Sequence, residues 1–104
     1  MPRTRDATQI LDRVTDDDEE LEQQIARETL NAQVAQLICL ARTAAGLTQA
    51  QLAARIGTKQ PVIARLEDAD YEGHSLSILQ RIAAVLHQRI ELRFVPAETT
   101  PRAA

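Results

Sequence analysis

Four residues between positions 59 and 65 carry chemistry suited to a nucleic-acid surface: Lys59, Gln60, Val62 and Arg65. A glutamine amide presents a donor beside an acceptor, which matches the adenine edge in a major groove. An arginine fork matches guanine, and lysine or hydroxyl groups reach phosphate oxygens. Tyr71 and Phe94 are the only aromatics, so the stacking platform that holds single strands is missing and the chemistry points to duplex DNA.

The other reactive side chains do not converge. His74, His87 and Cys39 are scattered, and the chain has no Cys-x-x-Cys, no His-x-x-x-His and no glycine-rich phosphate loop. Neither a metal, nor a cofactor, nor an enzyme is therefore expected. Cys39, between Ile38 and Leu40, reads as a small buried hydrophobe, and a single cysteine has no partner for an intramolecular disulfide. His87 reads as a helix-end residue and His74 as a loop residue. No apolar run approaches a membrane span or resembles a secretory signal, so the expected setting is the cytoplasm, on nucleoid DNA.

At 104 residues, 44% hydrophobic and 26% charged, the chain can build one small core plus an arm. Charge divides it. Residues 1–28 hold four Arg against nine acids, whereas residues 29–96 hold seven Lys or Arg against five acids. The acidic run from Asp16 to Glu20 has two readings, a solvated helix start or a surface for a basic partner.

These side chains need helices to position them. No Gly or Pro occurs between Arg3 and Gly46, and Thr15 followed by five acids reads as an N-cap, so a helix is expected from near Asp16 to about Ala45. Its apolar positions, Leu21, Ile25 and Ala32, then Leu30, Val34, Leu37, Ile38 and Ala41, fit one long or bent helix or two in tandem. Gly46 is placed to close it in the left-handed conformation, Thr48 to cap a second helix with Leu52, Ala53 and Ile56 inward, and Gly57 to end that one. Pro61 suits the first turn of a third helix, from about Gln60 to Asp68. Ser75 or Ser77 can cap a fourth, with Leu76, Leu79, Ile82, Ala83 and Leu86 inward. The period then changes: Ile90, Leu92 and Phe94 alternate with Arg89, Glu91 and Arg93 before Pro96, a half-buried strand. A lone strand needs a partner for its backbone, and the simplest is the same strand of a second copy, which predicts a homodimer.

The division expected is an acidic, partly helical arm (1–28), a helical body (29–88), a dimerisation strand (89–96) and a disordered tail (97–104). In the body, two short helices meet at Gly57, where small Ala53 permits close approach, and Lys59, Gln60, Val62 and Arg65 are left on the outer face of the second. The rival structural reading is a helical bundle whose cations are merely solvated.

The stretch GLTQAQLAARIGTKQPVIARLE, within about Val34 to Leu86, resembles the Cro/CI-like (XRE) helix-turn-helix family. Matching features are Thr48-Gln49, Leu52-Ala53, Gly57 and Ile63 to Glu67. The resemblance implies an all-α helix-turn-helix bundle with an N-terminal helical extension and a C-terminal strand paired in a dimer. By position it implies that Gln49 contacts phosphate and braces the recognition helix, that Gln60 and Arg65 read bases, and that Lys59 contacts phosphate or a base. It also implies a structural ion pair of Arg42 with Glu67. Two positions depart from the pattern: Lys59 stands where a capping Ser or Thr is frequent, and Thr58 replaces a small apolar residue, so Thr58 is the alternative cap.

From Ser75 to Val95 the chain is similar to HigA-like and HipB-like antitoxins, in which a helix precedes a short strand. This resemblance implies a repressor of its own operon that neutralises a toxin. For a basic RelE/HigB-like toxin the complement is the acidic segment from Asp12 to Glu28, with Asp17 and Glu20 supplying charge and Leu21 and Ile25 an apolar stripe. The competing reading of that helix is packing on its own body. A stand-alone XRE-type regulator without a toxin, and a protein-binding module without DNA function, are the alternatives for the whole chain.

Overall fold

The computed structural model describes residues 5–97, the side chains of 5–16 excepted. Four helices follow in order: α1 (Arg5–Ala44), α2 (Gln49–Ile56), α3 (Gln60–Leu66) and α4 (Leu76–Val85). The molecule measures 58 × 23 × 21 Å. Its long dimension is that of α1, since 40 helical residues at about 1.5 Å each span roughly 60 Å.

The long segment is one helix, and it begins at Arg5 rather than near Asp16. Thr15 lies inside it. With no Gly or Pro to interrupt, extending an existing helix costs less than nucleating a new one, so an internal Thr followed by acids does not act as a start. The arm and the first helix of the body are thus continuous.

The core collects Ile38 of α1, Leu52, Ala53 and Ile56 of α2, Ile63 and Leu66 of α3, Ile82 of α4, and Leu86 just beyond it. Leu52 and Ile63 have no exposed surface. Two expected inward stripes are narrower than the apolar pattern suggested. On α1, Val34 and Ala41 pack against the core, but Leu30 and Leu37, seven residues apart on one flank, are exposed. On α4, Leu76 is exposed because the first turn projects past the core that holds Ile82. The helices are short and cover only part of α1, so they cannot bury every apolar residue along it.

Local devices end the helices and set the turns. After α1, Gly46 takes φ +76°, its N–H donates to the Thr43 carbonyl at 2.9 Å, and the Leu47 N–H donates to the Arg42 carbonyl at 3.2 Å, which together form a Schellman closure. Thr48 and Gln51 form a full capping box at the start of α2: the Thr48 hydroxyl accepts from the Gln51 N–H at 3.0 Å, and Gln51 Oε1 accepts from the Thr48 N–H at 2.8 Å. Gly57, at φ +79°, closes α2 the same way, with the Thr58 N–H donating to the Ala53 carbonyl at 2.8 Å. Ser75 caps α4.

Residues 89–96 form no strand within the single chain. Alternation prepares a segment for a ladder, but a ladder needs a second strand, and the described residues of this chain supply none. Of the expected tail, the residues from 98 onward lie outside the described part, as do residues 1–4 of the expected arm.

Candidate DNA-binding face

Helix α3 is seven residues long and its position depends on α2. Ile63 and Leu66 are buried against α2, which turns Gln60, Pro61 and Arg65 outward; all three are exposed, as is Lys59 just ahead of them. Val62 differs from the outward placement expected of it. Its side chain is half-buried against the core, because it lies one turn before buried Leu66 on the same side of the helix. The N-cap of α3 is Lys59, with extended backbone and no side-chain hydrogen bond, so Thr58 does not cap the helix. The Schellman closure explains this: the Thr58 N–H is committed backwards to Ala53, which leaves Lys59 as the residue that enters the helix. Pro61 sits in the first turn, where its missing N–H has no intrahelical partner to lose.

A chain of side-chain hydrogen bonds joins three helices beneath this face. Arg42 on α1 makes a two-pronged pair with Glu67 at the end of α3, Nε to Oε2 at 2.6 Å and Nη2 to Oε1 at 3.0 Å, while its Nη1 donates to the Leu47 carbonyl at 2.7 Å. Gln49 Nε2 donates to the same Glu67 Oε1 at 3.0 Å. Gln60 Nε2 in turn donates to Gln49 Oε1 at 2.7 Å. Each link restricts the next: the carboxylate can only accept, so it takes the NH₂ end of Gln49 and turns the Gln49 oxygen toward Gln60. The Gln60 oxygen and its second amide hydrogen remain unused by that contact, on an exposed residue. The arrangement can therefore hold an amide at the surface in one orientation with its bidentate edge open.

The pair at the base of the chain is shielded, with the Arg42 and Glu67 side chains 12% and 6% exposed. Burial by itself pushes the Glu67 carboxyl up, but the hydrogen bonds from Arg42 and Gln49, with the charge of Arg42, outweigh it and hold the group below the usual carboxylate range. The Glu67 bond raises Arg42 above its ordinary value against the opposing effect of burial. Thr48 stands at the edge of this face, exposed, with its hydroxyl engaged in the capping box.

Two positioning residues carry no local signal in the sequence. Arg81 on α4 donates through Nη2 to the Ile56 carbonyl at the turn between α2 and α3. The half-buried His74 bonds through Nε2 to the Leu66 carbonyl at 2.7 Å, at the end of α3, and Tyr71 meets its ring edge-on at 5.0 Å. Their partners lie 25 and 8 residues away, and only the folded chain brings them together.

Two short helices in this relation, joined at a left-handed glycine with the second presenting its polar face, have the geometry of a helix-turn-helix. Residues 38–92, just over half of the chain, match the model of the helix-turn-helix family, of the Cro/CI-like kind. The chain belongs to this helix-turn-helix family. No curated protein and no solved structure gives a significant match. The family is one of DNA-binding domains, and α2 and α3 of this member lie within the matched residues. None of the described helices is long and apolar enough to cross a membrane.

The residues expected to meet a toxin stand apart from this face. Asp17, Glu20, Leu21 and Ile25 are exposed on the first half of α1, with Leu21 54% and Ile25 52% accessible. Packing of this stripe on its own body, one of the two readings of the sequence, is not what the fold shows. Ile90 is half-buried beside α1 and α4, while Leu92 and Phe94 are exposed.

Proposed function

We propose that this helix-turn-helix protein is a sequence-specific repressor that binds operator DNA as a homodimer and serves as the antitoxin of a type II pair, neutralising a RelE/HigB-like toxin and regulating its own operon. The observation that carries the DNA reading is the Arg42–Glu67–Gln49–Gln60 chain, which holds the Gln60 amide at the surface of α3, the helix that also exposes Arg65. On DNA, Gln60 and Arg65 read base edges, Lys59 and Thr48 reach the sugar-phosphate backbone, and Gln49 braces Gln60 while facing phosphate. Arg42 and Glu67 read nothing and hold Gln49. The modest positive charge of the body makes one copy a weak binder, so two recognition helices joined through residues 89–96 supply the affinity.

The antitoxin reading is supported by the arm. Its Leu21 and Ile25 are exposed among Asp17, Glu20 and further acids, on a helix that projects from the DNA-binding body, and this suits a basic partner with an apolar cleft. The protein acts in the cytoplasm, on nucleoid DNA, without catalysis or cofactor.

The test is a mobility-shift titration on DNA from immediately upstream of the gene, across a salt series, with co-expression of the adjacent reading frame. Gln60→Ala or Arg65→Ala is expected to cost about 1–3 kcal/mol, roughly 5- to 150-fold, on the preferred sequence while sparing nonspecific binding. A Leu21→Asp, Ile25→Asp double variant is expected to keep operator binding and lose a basic RNA-cleaving neighbour. Equal affinity for unrelated DNA would sink the repressor reading, and a neighbour that is neither basic nor bound through the arm would sink the antitoxin reading.

A further inference from the structure

Beyond the turn at His87, residues 88–92 help line a cleft of about 330 Å³ with Val34, Leu37, Leu79 and Leu86, and Arg89 and Glu91 border it as well as Ile90 and Leu92. The cleft is open and apolar. Leu92 is nonetheless 72% exposed, and Phe94, two residues further on, is wholly exposed. Arg89 Nη2 meets Glu91 Oε2 at 2.9 Å. One edge of the molecule thus carries apolar Ile90, Leu92 and Phe94 without full cover, alternating in sequence with charged Arg89, Glu91 and Arg93.

We infer that a second copy covers this edge through an antiparallel pairing whose twofold axis passes through Leu92. The inference rests on the homodimer reading above and adds its register. Antiparallel pairing about a twofold axis places opposed residues on the same face, so the axis must pass through a residue and the choices are few. An axis at Glu91 sets Glu91 against itself and Arg89 against Arg93 on both sides, all like charges. An axis at Arg93 opposes two arginines and sets Glu91 against Val95. An axis at Ile90 pairs Arg89 with Glu91 but puts Phe94 opposite Leu86, which belongs to the end of α4. An axis at Leu92 matches both faces over positions 90–94, and its one mismatch, Arg89 opposite the partner's Val95, falls outside that stretch. Leu92 meets its own copy, Ile90 meets the partner's Phe94, and Glu91 meets the partner's Arg93, each of the last two twice. Pro96, which has no N–H to donate, then falls opposite Gln88 at the end of the ladder. In this register the partner's Phe94 arrives next to Ile90, on the rim of the cleft where Leu37 is exposed.

Cysteine scanning of the full chain in a Cys39→Ser background tests the register. Under mild oxidation Leu92→Cys is expected to convert most of the protein to a covalent dimer. Ile90→Cys and Phe94→Cys are expected to stay reducible monomers when oxidised separately and to cross-link when mixed. The ion pairs give a second reading independent of oxidation: Glu91→Arg is expected to raise the dimer dissociation constant by roughly tenfold, and adding Arg93→Glu to restore it. Strongest cross-linking at position 90 or 91, or no rescue by the charge exchange, would overturn the register while leaving a dimer in place. Unsubstituted protein that sediments as a monomer at tens of micromolar would overturn the dimer reading and the register with it.

Discussion

Residues 17–30 and residues 49–67 are both helical and both mix charged with apolar side chains, yet they differ in what surrounds them. Every residue of 17–30 is exposed, and its described side-chain bonding is a contact of Gln24 with Glu28 one turn away. In 49–67 the helices are at most eight residues long, but Leu52, Ala53, Ile56, Ile63 and Leu66 are buried and Gln49, Gln60 and Glu67 are bonded across elements. The first stretch stays helical because it extends a helix that is anchored further along by Ala35 and Ile38. The second exists because its neighbours hold it; helices that short do not persist alone. One region offers a surface whose shape is independent of the core, and the other offers a surface whose shape is the core's product.

Truncating each region in turn gives the largest contrast. Leu52→Ala removes a side chain with no exposed surface and is expected to cost about 3 kcal/mol, whereas Leu21→Ala is expected to stay within about 0.5 kcal/mol. Urea midpoints followed by far-ultraviolet circular dichroism measure both. A large cost for Leu21→Ala would break the comparison, since it would mean that the arm is covered in the free protein.

The second contrast is one of charge. The acids within residues 17–28 are exposed, while the Glu67 side chain is shielded against Arg42. Because the folded state holds Glu67 below its unfolded value, its contribution is complete above that value and is lost as pH falls through the lower, folded one. Glu67→Gln is expected to lower stability at neutral pH by about 2 kcal/mol, by weakening the bonds to Arg42 and Gln49, and to flatten the acid limb of the stability profile. Denaturant midpoints from pH 7 to 3 show whether the two proteins converge at the acid end. Parallel profiles would mean that another carboxylate sets the acid sensitivity.

Much of the body was legible because its devices are local. Gly46, Thr48, Gly57, Pro61 and Ser75 each act within a few residues, so type and spacing were enough to place the turns and the four helices of the body. The Arg42–Glu67 pair spans 25 residues and entered only through the family resemblance. The start of α1 was misplaced because Thr15 and the following acids satisfy the local signature of a cap without the chain leaving the helix there. Leu30, Leu37 and Leu76 fit their stripes by spacing, but whether a neighbour reaches them depends on how far the other helices extend. Residues 89–96 show the same limit: the alternation is readable, but no described residue of this chain pairs with it.

The smallest expected effect concerns how the body ends its helices. Gly57 and His87 occupy equivalent positions in Schellman closures. At φ 59° the His87 N–H donates to the Ala84 carbonyl at 3.2 Å and the Gln88 N–H to the Ala83 carbonyl at 2.8 Å, which is the pattern Gly57 and Thr58 make after α2. A side chain in this left-handed region costs about 1 kcal/mol or more, and glycine avoids the cost but orders a freer unfolded chain. Gly57→Ala is therefore expected to destabilise by about 1 kcal/mol through backbone strain, since a Cβ there would meet Arg81 Nη2 at an ordinary 3.7 Å. His87→Gly is expected to stabilise by about 0.5 kcal/mol, the smaller figure reflecting that entropy cost. Thermal unfolding resolves both signs. Should His87→Gly destabilise instead, His87 would be held by contacts beyond its backbone geometry, and the segment that leaves α4 toward Leu92 would be fixed by its side chains as well as by the turn.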